Sequence, residues 1–166
     1  MRYSFPNTYI WLRQIIHIIL KNILVAVDLK SSDQVLINQV SILAEKFNST
    51  VWIIHIAAPD PDFVGYGIGP FYIREMRADE LRKEHKQLQA MANQLQEKSI
   101  QTEALLIQGP TVEMLKAEVK KLKIDLLIMG SHKHGFLYET WIGHTSVKVI
   151  KEIPVPVLIV PLTDGE

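Results

Sequence analysis

Short, mostly apolar runs recur along the chain from residue 22 onward, and segments with helical periodicity separate them. Runs of this length without polar alternation are typical of strands that are covered on both faces, as in a parallel sheet. The predicted strands span residues 23–27, 51–56, 102–107, 126–129 and 157–160. His55 interrupts the second strand, and we expect a buried neutral imidazole there with one backbone partner.

The segments between the strands predict helices. In the first, Ser31 is followed three residues later by Gln34, which is the spacing of a capping box. Its apolar positions fall on one stripe of a helix, which we expect to be buried. They are Leu36, Val40, Leu43, Ala44 and Phe47. Further helices are predicted at about residues 72–98, after Gly109-Pro110, and at about residues 141–151.

This alternation of strand and helix predicts one α/β domain with a doubly wound parallel sheet. We expect the domain to span residues 21–163. A proline- and glycine-rich stretch, residues 57–70, is predicted to be a surface lid, because its glycines lack the spacing of a phosphate loop.

Residues 1–20 form an extension that does not continue the pattern. Its apolar stretch, residues 9–20, is interrupted by Arg13, Gln14 and His17, so it suits neither a membrane span nor a signal sequence. Three interpretations stay open: an appendage that packs its isoleucines on the domain, an amphipathic helix at a membrane surface, or a true start downstream. We expect the extension to be dispensable for folding.

Charge and cysteine content narrow the function classes. Lys and Arg number 18, Asp and Glu also number 18, and there is no cysteine. A chain of zero net charge is a poor candidate for general nucleic-acid binding, which needs a basic surface. The absence of cysteine excludes thiol catalysis and thiolate zinc sites, and it suits a reducing cytoplasm. We therefore expect a cytoplasmic protein without nucleic-acid partners.

Candidate chemistry lies in the loops that follow the strands, because ligands of open parallel sheets bind beyond the carboxyl ends of the strands. Asp28 follows the first strand, and a glycine-punctuated stretch, residues 130–146, follows the fourth. That stretch leads into a predicted helix, whose N-terminal N–H groups favour an anion such as phosphate. Lys133 adds a cation, and Thr145 and Ser146 add hydroxyl groups.

Two further hypotheses have less support. His132, His134 and His144 offer ring nitrogens for a metal, but Glu139 is the only carboxylate close to them in the sequence, so we expect no metal. Ser131, His132 and Asp125 offer the groups of a hydrolase, but the nucleophile elbow is missing. We expect a protein that is not an enzyme.

Four segments together resemble the universal stress protein family over about residues 21–161. They are KNILVAVD (21–28), WIIHI (52–56), the stretch of residues 109–135 that ends in MGSHKHG, and VPVLIVP (155–161). The resemblance implies a Rossmann-like, adenine-nucleotide-binding fold with strand order 3-2-1-4-5. It also implies a homodimer that pairs the C-terminal strand through Val157, Leu158, Ile159 and Val160.

The resemblance further implies which residues bind the nucleotide. Asp28 would contact the nucleoside, Ile56 would pack on the adenine, and the hydroxyls after the last glycine would hold phosphate. The full set implied is Ala26, Val27, Asp28, Ile56, Met129, Gly130, Ser131, Lys133, Gly143, His144, Thr145 and Ser146.

Two positions depart from the pattern of the ATP-binding members. That pattern has Gly, two residues, Gly, nine residues, then Gly followed by Ser or Thr. Gly130 and Gly143 match it, but Lys133 replaces the middle glycine and His144 replaces the hydroxyl residue. Both replacements bring bulk to the phosphate position. Three functions stay open: an ATP-binding stress-response module with at most slow ATP hydrolysis, a nucleotide-independent interaction protein of the same family, or an enzyme of adenylate chemistry on the same fold. The missing catalytic constellation counts against the enzyme.

Overall fold

The computed structural model describes residues 20–58, 71–132 and 144–162. The strands are β1 (Asn22–Ala26), β2 (Thr50–Ala57), β3 (Thr102–Gln108), β4 (Leu126–His132) and β5 (Val157–Leu162). The helices are α1 (Gln34–Phe47), α2 (Phe71–Gln96), α3 (Thr111–Lys121) and α4 (His144–Glu152), and a 3₁₀ turn (Ser31–Asp33) precedes α1.

The strands form one sheet in the order β3-β2-β1-β4-β5, and all of its pairings are parallel. This confirms the predicted fold class and the predicted strand order. The order reverses beside β1, so the loops after β1 and β4 leave the sheet next to each other. This is the topological switch point at which such sheets bind ligands.

The central strands are mostly apolar because their side chains contribute to two cores, one on each face of the sheet. Ile23 and Val25 of β1 point into a cluster formed with α1 and α2, while Leu24 between them points into a cluster formed with α3 and α4. All three side chains are fully buried. Alternate side chains of a strand point to opposite faces, so successive residues of a strand covered on both faces are buried in different cores.

The predicted capping box is wrong. The Gln34 amide donates to Asn38 Oδ1 (3.2 Å), and the side chain that reaches back to the start of the turn is Asp33, whose Oδ2 accepts the N–H of Lys30 (3.0 Å). The chain adds a 3₁₀ turn ahead of α1, so the capping carboxylate belongs to the third residue of that turn.

The predicted stripe of α1 is correct at its centre and wrong at its end. Leu36, Val40 and Ala44 are buried, but Phe47 in the last turn is 36% exposed. Ser41 is buried as well, and its Oγ accepts a hydrogen bond from Lys98 Nζ (3.1 Å). The buried face is therefore wider than the apolar stripe, because a polar residue whose hydroxyl is bonded can join it.

β4 and β5 extend two or more residues beyond their predicted ends. β4 continues to His132, which takes Gly130 and Ser131 out of the predicted loop and into the sheet. β5 continues through Pro161 to Leu162, where Pro161 is aligned with Ser131 of β4. A proline is tolerated there because β5 is the last strand in the order and bonds to β4 on one side.

Several predictions lie outside the described residues: the surface lid except Ala57 and Ala58, the extension up to residue 19, and residues 133–143. Ala57 is the last residue of β2 and so belongs to the sheet. Within the described ranges, no helix is both long enough and apolar enough to cross a bilayer.

Candidate functional site at the carboxyl edge of the sheet

Hydrogen bonds to β2 hold the end of β1 at the carboxyl edge. The N–H of Val27 donates to the Ile54 carbonyl (3.0 Å), and the Val27 carbonyl lies 2.7 Å from Nδ1 of His55, which acts as the donor. The half-buried His55 therefore has the backbone partner that its place in the strand predicted. Asp28 follows Val27 directly and is exposed.

The turn after Asp28 is organised by a carboxylate that sequence reasoning missed. Asp33 is 1% exposed, and its Oδ2 accepts the N–H groups of Asp28 (2.9 Å) and Lys30 (3.0 Å). Between these two amides, Leu29 has a φ of 61°, which is unfavourable for an L-residue. The signal available in the sequence was an aspartate within a turn, and aspartate often bonds to nearby backbone N–H groups.

Burial raises the pKa of Asp33, and the nearby Asp28 carboxylate raises it further. Hydrogen bonds from backbone N–H groups act in the opposite direction, since they favour the charged form. The pKa is raised on balance, so burial and the Asp28 charge together outweigh these bonds.

Three of the predicted nucleoside-binding residues lie together on one face of the sheet. Ala26 is aligned with Met129 on β4, and both pack with Ile56 of β2 in the cluster covered by α3 and α4. Val27 differs, because its buried side chain points into the cluster on the opposite face. The structure thus brings Ala26, Ile56 and Met129 together beside Asp28. The Val27 side chain is part of the core on the other face of the sheet.

Gly130 has a structural reason to be glycine. A Cβ built on it would lie 2.3 Å from Cδ1 and 2.9 Å from Cγ of Leu162, a side chain that is 1% exposed. The Leu162 side chain of β5 thus occupies the space beside the Gly130 backbone. Ser131, the next residue, is buried in the same strand.

Helix α4 begins at His144, and its first turn contains both predicted hydroxyl residues. Thr145 is exposed, whereas Ser146 is buried, so the two hydroxyls differ in their access to a ligand. Lys133 and Gly143 lie outside the described residues, and so does His134 of the metal hypothesis. Among the residues that are described, no group of three His, Asp or Glu side chains could hold a metal ion.

The hydrolase hypothesis is wrong, because its carboxylate lies at the other end of the sheet. Asp125 Oδ2 accepts the N–H groups of Lys21 (2.8 Å) and Asn22 (2.9 Å), next to the amino ends of β1 and β4. Ser131 is six residues further along the extended strand, which separates the two by about 20 Å.

A comparison with models of protein families shows to which family the chain belongs. The model of the universal stress protein family matches residues 20–161 of this chain. The chain belongs to the universal stress protein family. This confirms the resemblance that the four sequence segments indicated.

Individual members of the universal stress protein family agree with this result. A universal stress protein encoded beside a sulfhydrylase of Thermus aquaticus is 31% identical over 118 residues, which cover 70% of this chain and 81% of the relative. The structure of the universal stress protein UspA from Lactobacillus plantarum has a TM-score of 0.71 at 15% identity, covering 85% of this chain and 97% of that one.

A third relative was solved with a nucleotide. It is the universal stress protein from Archaeoglobus fulgidus in complex with dAMP, which has a TM-score of 0.57 at 16% identity. The similarity covers 85% of this chain and 98% of that chain. At 16% identity the similarity shows that the two chains share a fold.

Proposed function

We propose that this universal stress protein binds an adenine nucleotide, with ATP as the expected ligand, at the carboxyl edge of its sheet between β1 and β4. The observation that carries the proposal is that the partly buried Ala26 and Ile56 meet the buried Met129 at the carboxyl edge of the sheet, with the exposed Asp28 at its border. An apolar surface beside a hydrogen-bonding carboxylate suits a nucleoside. The dAMP complex of the Archaeoglobus relative supports the choice of nucleotide.

Each part of the nucleotide has a proposed counterpart. The adenine packs on Ile56 and Met129, and the Asp28 carboxylate accepts hydrogen bonds from the nucleoside. The phosphates lie near the first turn of α4, where backbone N–H groups and the helix dipole favour negative charge. Gly143 and the exposed Thr145 belong to this phosphate region, together with Gly130, Ser131 and Ser146.

The proposed protein is a binding module of the stress response and not an enzyme, with at most slow ATP hydrolysis. We propose a cytoplasmic location, because the chain has no cysteine and needs no oxidising compartment. We propose that nucleotide binding requires no metal beyond any ion that accompanies the phosphates.

Calorimetric titration with ATP, ADP and AMP tests the proposal. Asp28→Ala is expected to weaken the affinity for ATP by about tenfold, which corresponds to ~1.4 kcal/mol. Glu103→Ala, which removes another exposed carboxylate near the start of β3, is the matched control and should leave the affinity unchanged. The absence of heat and of thermal stabilisation with every nucleotide would contradict the proposal.

Lys133 and His144 set the expected strength of binding. Both replace small residues of the ATP-binding pattern, so we expect ATP to bind in the high-micromolar range or more weakly, at roughly −6 kcal/mol. Lys133→Gly combined with His144→Ser is expected to tighten ATP binding by at least about tenfold. If Lys133→Gly alone weakens binding, the ammonium group is a phosphate ligand and the steric explanation is wrong.

The second candidate is a nucleotide-independent interaction protein. The partly exposed edge strand β5 favours it, since Leu158 is 37% exposed and the strand bonds to β4 along one side. Under both candidates we propose a homodimer that pairs β5 with its copy through Val157, Leu158, Ile159 and Val160.

A further inference from the structure

Asp33 is a buried carboxylate that the proposed nucleotide contacts do not use. It is 1% exposed, so it cannot itself touch a bound ligand. It nevertheless contacts a residue of the proposed site, because its Oδ2 accepts a hydrogen bond from the N–H of Asp28 (2.9 Å). Asp28 is the residue on which recognition of the nucleoside is proposed to depend.

The conformation of the turn explains why such a bond is needed. Leu29 has a φ of 61°, a left-handed conformation in which a leucine Cβ crowds its own backbone. The two N–H groups that donate to Asp33 Oδ2 belong to Asp28 and Lys30, the residues on either side of Leu29. The turn is closed a second time by the N–H of Asp33, which donates to the Lys30 carbonyl (3.0 Å). One carboxylate therefore stabilises a turn that leucine alone disfavours.

Electrostatics act in the same direction. Asp28 and Asp33 are close enough for their carboxylates to repel each other. A buried negative charge behind the turn favours conformations that keep the Asp28 carboxylate away from it, toward solvent. The exposed position of Asp28 agrees with this.

We propose that Asp33 is a positioning residue for nucleotide binding, which holds the turn between β1 and α1 so that Asp28 meets the nucleoside. This inference rests on the proposed function. Asp33 acts through Asp28, so its effect on affinity depends on the presence of the Asp28 carboxylate.

The chain contains a close control for this role. Asp125 also uses its Oδ2 to accept two backbone N–H groups, those of Lys21 (2.8 Å) and Asn22 (2.9 Å), but at the opposite edge of the sheet. Asp33→Ala and Asp125→Ala thus remove similar bonds at different places. A general loss of stability appears in both variants, whereas a loss of affinity is expected in one.

The first experiment is a calorimetric double-mutant cycle with ATP. Asp33→Ala is expected to weaken ATP binding by about tenfold. Asp33→Asn is expected to lose much less affinity than Asp33→Ala, because its amide oxygen accepts the same bonds. Asp125→Ala is expected to change the affinity by less than about twofold. In the Asp28→Ala background, Asp33→Ala is expected to change affinity by less than about twofold. If the tenfold loss persists in that background, Asp33 does not act through Asp28 and the inference is wrong.

The second experiment needs no nucleotide. Hydrogen exchange of the Asp28 and Lys30 amides is expected to be at least about tenfold faster in Asp33→Ala than in the unaltered chain, with the amides of β4 unchanged. Unchanged exchange at both amides overturns the inference even if ATP binds. If the alanine variant does not fold, Asp33→Leu takes its place, since it fills the volume without an acceptor.

The two experiments separate the two ways of being wrong. If the unaltered chain does not bind ATP, the proposed function and the positioning role fall together, and the exchange data then report on the turn alone. If ATP binds to the unaltered chain and Asp33→Ala binds it equally well, the positioning role is wrong while the proposed function stands.

Discussion

Asp33 is 1% exposed, and burial raises its pKa above the value of 3.8 for an unperturbed aspartate. The folded chain therefore holds this proton more tightly than the unfolded chain does. Stability falls with rising pH wherever the folded state binds more protons. The contribution of Asp33 is fully present below pH 3.8 and is lost as the pH rises through the raised folded value.

Asp33→Asn is expected to abolish this pH dependence, because asparagine keeps the size and one acceptor oxygen without the charge. The free energy of unfolding of the unaltered chain, minus that of the variant, should decrease as the pH rises from about 3 to about 7. Urea unfolding of both proteins at several pH values measures this difference. A difference that stays constant with pH would contradict the raised pKa.

At the scale of elements, β4 and β5 pack closely at Gly130 because glycine has no Cβ there. A Cβ on Gly130 would lie 2.3 Å from Leu162 Cδ1, well inside van der Waals contact. Leu162 is almost completely buried and also lies beside Leu36 of α1 in the same cluster. Gly130 therefore lets the end of β5 and the start of α1 pack against one strand.

Gly130→Ala is expected to destabilise the fold by about 1–3 kcal/mol, because the added methyl group overpacks a buried site. Combined with Leu162→Ala, the same change should cost less than the sum of the two single variants, since the shortened side chain leaves room for the methyl group. Urea unfolding of the three variants measures the coupling. A Gly130→Ala variant of unaltered stability that binds ATP less well would show that a ligand, and not Leu162, requires the glycine.

At the scale of the whole molecule, β5 is an edge strand of the sheet. β5 bonds to β4 on one side, and its Leu158 is 37% exposed. Edge strands that carry apolar side chains tend to pair unless charge or another element covers them. The proposed homodimer pairs two such edges.

Leu158→Lys is expected to shift the homodimer toward monomer, because pairing would bring two lysines close to each other across the two-fold axis. Ile42→Lys is the control: Ile42 is 61% exposed on α1 and lies away from the edge strand, so its variant should remain a dimer. Light scattering at micromolar concentrations measures both. A monomeric unaltered chain would refute the dimer.

The sequence by itself determined the alternation of elements, because an apolar run or a helical stripe is a local pattern that reports which faces are buried. It also determined that Asp28 follows the first strand and that Ile56 follows the strand histidine, because these positions depend only on where the apolar runs end. The family resemblance added the strand order, which periodicity alone does not contain.

The tertiary structure decided which distant atoms meet. Gly130 needs to be glycine because Leu162 of the neighbouring strand lies beside it, and no local pattern encodes that contact. Ser41 can be buried because its hydroxyl accepts a hydrogen bond from Lys98, in the turn that follows α2. Asp33 is a polar residue in a turn by sequence, and it is a buried acceptor only because the 3₁₀ turn folds it back onto the backbone of Asp28 and Lys30. Such residues depend on packing between segments, where a polar side chain can be buried once its bonds are satisfied.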